Sequence, residues 1–135
     1  MDIEEINELF EKAAQVRENA YAPYSKFKVG AALKTKKGNI FLGCNVENAA
    51  YDSTLCAERN AITTAIAVEG TQMKIQVIAI VVGECKLASP CGACRQVISE
   101  FSNYNKDEET LVAFNTKTGM EVKKISEILP YRFEF

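Results

Sequence analysis

The chain has 135 residues, of which 47% are hydrophobic and 25% charged, the composition of a single globular domain spanning 1–135 rather than of a linker or a disordered segment. Its 16 Lys and Arg against 18 Asp and Glu leave a net charge of −2, which disfavours a broad nucleic-acid-binding surface and suits a small substrate. No apolar run approaches the ~20 residues of a membrane span, and the start Met1-Asp2-Ile3-Glu4-Glu5 lacks the basic and apolar parts of a secretory signal, so a soluble cytoplasmic protein is expected.

Ile3, Ile6, Phe10, Ala13 and Ala14 recur at helical spacing, with glutamates early and Arg17 late, which predicts an amphipathic helix from Ile3 to Asn19. Tyr21-Ala22-Pro23-Tyr24-Ser25 breaks it. From Phe27 the period becomes two, with Phe27, Val29, Ala31 and Leu33 on one face. A turn at Lys37-Gly38-Asn39 and a returning strand over Ile40 to Gly43 complete a hairpin. The lysines at 34, 36 and 37 read as solvated hairpin charges. After an irregular stretch from Cys44 to Leu55, a helix opens at Cys56-Ala57-Glu58-Arg59 and runs through Ala67, with Gly70 as its stop.

Ile75 to Val82 is too short and too β-branched for a good helix and reads as a central strand. A second helix begins at Cys91-Gly92-Ala93-Cys94 and continues through Phe101. A strand at Leu111 to Phe114, a turn at Thr116 to Gly119, a short strand over Met120 to Val122 and a helical turn from Ile125 to Leu129 follow, the last ended by Pro130. Strands alternating with helices predict an α/β fold with a mixed sheet covered on both sides.

Both central helices start with cysteine, beside backbone amides that favour thiolates. Alone, the CxxC is open to two readings, a redox dithiol or a zinc knuckle. The five cysteines come with no histidine. A closed four-sulfur site would need Cys44 or Cys85 beside Cys56, Cys91 and Cys94, although Cys44 and Cys85 read more simply as small apolar residues near strand ends. The alternative is an open site in which Cys56, Cys91 and Cys94 hold Zn²⁺ and Glu58, two residues past the first ligand, faces the fourth position as a proton carrier. Three thiolates around Zn²⁺ leave one net negative charge. Arg59 is the candidate compensating cation, Gln96 a weaker candidate for the same outer layer, and Arg95 either joins it or faces solvent.

Cys56-Ala57-Glu58 followed by Pro90-Cys91-Gly92-Ala93-Cys94-Arg95-Gln96-Val97 resembles the small homotetrameric zinc-dependent cytidine deaminase family. The segments Tyr21 to Ala32 and Asn45-Val46-Glu47-Asn48-Ala49-Ala50-Tyr51 resemble its N-terminal signature and nucleoside-binding segment. The resemblance implies a three-layer α-β-α fold with a central mixed sheet of about five strands. It also implies one zinc per subunit and hydrolytic deamination of cytidine and deoxycytidine. Phe27 would then line the base pocket, Asn45 and Glu47 would bind ribose hydroxyls, and Tyr51 would belong to the same substrate-binding set. Phe133 would pack on a base bound by a neighbouring subunit, in a tetramer whose sites are completed by adjacent chains. A deaminase of another cytosine compound, such as the antibiotic blasticidin S, and a non-catalytic zinc-stabilised binding domain are the competing readings.

Overall fold

The computed structural model describes residues 2–83 and 87–135. Helix α1, Ile3–Arg17, opens on Asp2, whose carboxylate accepts from the Glu4 N–H at 3.1 Å, meeting one of the amides that a helix start leaves unpaired. Its buried line is Ile6, Leu9 and Ala13, with Phe10 half-buried against it, whereas Ile3 and Ala14 are exposed. The predicted stripe was therefore rotated slightly: the sheet beneath α1 selects the helix phase, and Leu9 lies on the contact line.

Strands β1 (Val29–Thr35) and β2 (Ile40–Cys44) form the expected antiparallel hairpin, with Ala31 opposite Gly43. The strand begins at Val29, not at Phe27. The Asn45 side chain explains this: its Oδ1 accepts from the Val29 N–H and its Nδ2 donates to the Phe27 carbonyl, both at 2.8 Å. A side chain thus replaces the strand ladder at this point. Alternation along β1 follows the expected period of two: Ala31 and Leu33 enter one core, with Val29 packed against it, and Ala32 enters the other.

Helix α2 (Ala57–Glu69) has Cys56 at its N-cap, and Gly70, at φ 86°, ends it. That left-handed conformation favours glycine. Strand β3 (Ile75–Val82) keeps its predicted bounds. Helix α3 (Gly92–Glu100) has Cys91 at its N-cap. Strands β4 (Leu111–Asn115) and β5 (Met120–Lys124) and helix α4 (Ile125–Ile128) complete the order, with Glu127 accepting from the Lys124 N–H at 2.8 Å.

The sheet order is β2-β1-β3-β4-β5, with β3 and β4 parallel and the other pairs antiparallel. Alternation along β3 sends Val77 and Ala79 toward α1, and Ile78 and Ile80 into the core beneath α2 and α3. The α-β-α layering and the five-stranded mixed sheet are as expected. Each fully buried Ile or Val contributes roughly 1.5–3 kcal/mol by leaving water, so β3 anchors the sheet. Among the described residues no helix is long and apolar enough to cross a membrane. The layering matters for chemistry because α2 and α3 lie on one face, with both N-termini near the C-terminal end of β3.

Candidate active site

Cys56 ends the irregular segment after β2, where Leu55 pairs with Val46 through hydrogen bonds of 2.9 Å in both directions. That bridge delivers Cys56 to the start of α2. Cys91 and Cys94 occupy the N-cap and first turn of α3. The three sulfurs lie within 4.8 Å of one another. Cys94 is buried, Cys56 half-buried and Cys91 exposed. Cys44 stands outside this cluster, at the end of β2, where burial raises its thiol pKa; Cys85 lies outside the described residues.

The Cys94 thiol hydrogen bond brings the Cys56 pKa down to about 6, and the same interaction raises that of Cys94. The two groups thus titrate as a pair, sharing one hydrogen bond. Arg59 lies beside the group, and the thiols of Cys94, Cys56 and Cys91 raise its guanidinium pKa; its Nε is buried without a hydrogen-bond partner among the described residues. Soft sulfur donors converging from two helix starts and faced by a cation fit Zn²⁺.

Glu58 is 5% exposed, and burial pushes its carboxyl pKa up from the usual range. Its side chain borders a cavity of about 340 Å³ together with Cys56, Cys91 and Cys94. Phe27, Asn45, Glu47 and Tyr51 line the same cavity, as do Ile80 and Val82 at the end of β3. A larger cleft, lined by Lys36, Lys106, Glu108 and Lys124, lies at the opposite end of the sheet and holds none of these groups.

Asn45 is less free than its motif suggests. One donor and one acceptor are committed to the Phe27–Val29 backbone, leaving one of each. Glu47 is held similarly: its Oε1 accepts from the Tyr24 and Ser25 N–H groups at 3.0 and 3.1 Å, and its Oε2 from the Ser25 hydroxyl. Those bonds, Ser25 foremost, keep its pKa below the ordinary carboxylate value. Ser25, Thr54, Leu87, Ala88 and Ser89 also line the cavity and were not singled out in the sequence. Ser25 carries a signal through its place in the turn before β1, and Leu87, Ala88 and Ser89 through the turn-rich stretch before Cys91.

One expected residue is elsewhere. Gln96 does not join the outer layer of the sulfur cluster: its Nε2 donates to the Phe133 carbonyl at 3.2 Å, because the C-terminal tail runs past that part of α3. Phe133 is 70% exposed and lies by Ser99 and Glu100, away from its own chain's cavity.

Residues 3–106 match the family described as the cytidine and deoxycytidylate deaminase zinc-binding region. The chain belongs to this deaminase family. A cytidine deaminase of Sporosarcina psychrophila is 42% identical over 133 residues, covering 98% of this chain and 92% of that protein. The crystal structure of the Burkholderia pseudomallei cytidine deaminase superposes with a TM-score of 0.83 at 41% identity, covering 94% of this chain and 98% of that one. The Mycobacterium tuberculosis cytidine deaminase gives 0.80 at 32% identity, covering 96% and 97%. Membership in a zinc-binding deaminase family agrees with the sulfur cluster and its adjoining buried carboxylate.

Proposed function

We propose that this protein hydrolyses cytidine and deoxycytidine to uridine and deoxyuridine, releasing ammonia. The observation that carries the proposal is Glu58, a buried carboxylate beside three converging thiols, in one cavity with Phe27, Asn45 and Glu47. Zinc bound by Cys56, Cys91 and Cys94 would supply the Lewis acidity that makes water nucleophilic near neutral pH. Glu58 accepts a proton from the attacking water and delivers it to N3 of the base. A second transfer through Glu58 lets the C4 amino group leave as ammonia. One water is consumed, the C4–N bond breaks and a C4 carbonyl remains. The raised Glu58 pKa suits this, because a carboxyl that both takes and returns protons works best near the operating pH.

The remaining valences of Asn45 and Glu47 face ribose hydroxyls, and Phe27 borders the base. The negative charge of Glu47 beside the sugar disfavours a phosphorylated substrate. Arg59 offsets the charge of the thiolate set. The catalytic domain spans 1–135. Four copies complete the sites, with Phe133 and Tyr51 supplying aromatic surface; both are largely exposed in the single chain. Thiolate ligands persist in a reducing compartment, which fits nucleoside salvage in the cytoplasm.

The decisive measurement is the absorbance lost as cytidine becomes uridine, with metal-stripped and zinc-restored protein in parallel. Cytosine, deoxycytidine and its monophosphate serve as comparison substrates. Turnover of both nucleosides that vanishes on stripping and returns with zinc is expected. Zinc-loaded protein inert toward both nucleosides would refute the proposal.

A further inference from the structure

Arg95 directly follows Cys94 in α3, and its guanidinium is spent on three acceptors. Nε donates to the Pro90 carbonyl at 2.7 Å, Nη1 to the Ile128 carbonyl at 2.9 Å and Nη2 to Ser89 Oγ at 3.4 Å. Two of these belong to the loop that runs into Cys91; the third lies at the end of α4. The Pro90 carbonyl shares a peptide plane with the Cys91 N–H, so holding that oxygen fixes the rotation of the peptide entering Cys91. On the other side, the Arg95 N–H donates to the Cys91 carbonyl at 2.9 Å. Both peptides flanking Cys91 are therefore tied to one residue.

Cys91 is the sulfur that needs such support. Cys94 is buried within α3 and Cys56 is half-buried at the start of α2, but Cys91 is exposed and its side chain makes no capping hydrogen bond. Beyond its interaction with the Cys56 thiol, its placement rests on the backbone that carries it. We propose that Arg95 is a positioning residue for the metal site: it braces Ser89 and Pro90 against α3 and the end of α4, and so sets the Cys91 thiol against those of Cys56 and Cys94. Arg95 does not line the cavity. A planar guanidinium reaches three acceptors in fixed directions, which a lysine ammonium on a flexible stem does not reproduce. This inference rests on reading Cys56, Cys91 and Cys94 as zinc ligands.

The test uses the full chain and its Arg95→Lys and Arg95→Ala variants, with zinc affinity measured by competition against a chromophoric chelator. Metal-free thermal unfolding and kcat and KM at saturating zinc are followed alongside. Loss of a partner that orients a ligand weakens metal binding roughly 10- to 100-fold, and that range is expected for both variants. Arg95→Lys should unfold close to wild type when metal-free, and its KM for cytidine should return to the wild-type value at saturating zinc. Should Arg95→Ala fail to fold, Arg95→Lys carries the comparison. Wild-type zinc affinity in Arg95→Lys would overturn the brace, as would a metal-free destabilisation large enough to account for its loss of zinc. A wild-type chain that takes up no zinc would instead overturn the ligand assignment beneath it.

Discussion

Glu58 sits on the first turn of α2, two residues past Cys56, where burial raises its pKa. Glu58→Gln keeps the shape and removes the exchangeable proton. It should retain zinc, checked by elemental analysis, while turnover falls about 10²- to 10⁴-fold, the usual share of a general acid-base; near-normal turnover would remove Glu58 from its proposed role. Glu47 makes a different prediction. Its folded pKa lies below the ordinary 4.5 because Ser25 and Tyr24 donate to its ionised form. A depressed folded pKa stabilises above the unfolded value and loses that effect as pH falls through the folded one. The melting-temperature gap between wild type and Glu47→Gln should therefore be widest above pH 4.5 and narrow at more acidic pH. A gap independent of pH would show that the carboxylate charge is not what secures the Tyr24–Ser25 turn.

At the scale of elements, the site depends on how closely α2 approaches the hairpin. A Cβ on Gly43 of β2 would come within 2.4 Å of the Ala57 carbonyl oxygen and of the Ala61 nitrogen. Both belong to the part of α2 that carries Glu58 and follows Cys56. Gly43→Ala should cost about 1–3 kcal/mol, as overpacking does, and lower zinc occupancy by shifting the start of α2. Denaturant unfolding and metal analysis read the two effects separately. Gly92, inside the CxxC, provides the contrast: a Cβ there meets nothing within 4 Å, so Gly92→Ala should leave stability unchanged or slightly raised. Equal costs for the two substitutions would contradict the close approach assigned to Gly43. Most elements were legible because their signals are local. The β-branched run at Ile75–Val82 and the Gly70 stop depend on neighbouring residues, and both stand where the sequence places them. The start of β1 was not legible, because Asn45, distant in sequence, captures the backbone around Phe27.

At the scale of the whole molecule, one chain leaves large aromatic surfaces uncovered: Tyr51, Tyr131 and Phe133 are all mostly exposed. Burial of such surface between copies is the assembly proposed above. Sedimentation equilibrium should return about four times the 14.9 kDa subunit mass. Phe133→Ala should raise KM for cytidine roughly 2- to 12-fold, equivalent to ~0.5–1.5 kcal/mol of aromatic contact, with zinc content unchanged. A monomeric active enzyme would rule out shared sites. Gln96 belongs at this scale as well. Its motif position pointed to the metal, but tail packing decides its partner, and that packing is invisible to motif spacing.

The identities of the three thiols and the carboxylate, their order, and the helices and strands that carry them were determined by the sequence alone. Those properties depend on side-chain chemistry and on periodicity over a few residues. That Cys56 meets Cys91 and Cys94 was decided only in three dimensions. The strand order β2-β1-β3-β4 puts α2 and α3 on the same face, and the Val46–Leu55 bridge brings the first cysteine to its helix start. The use of Arg95 on Pro90 and Ile128, and of Asn45 on Phe27 and Val29, was likewise tertiary. A side chain's polar valences go to whichever backbone groups packing leaves unpaired, and residue spacing does not reveal which groups those will be.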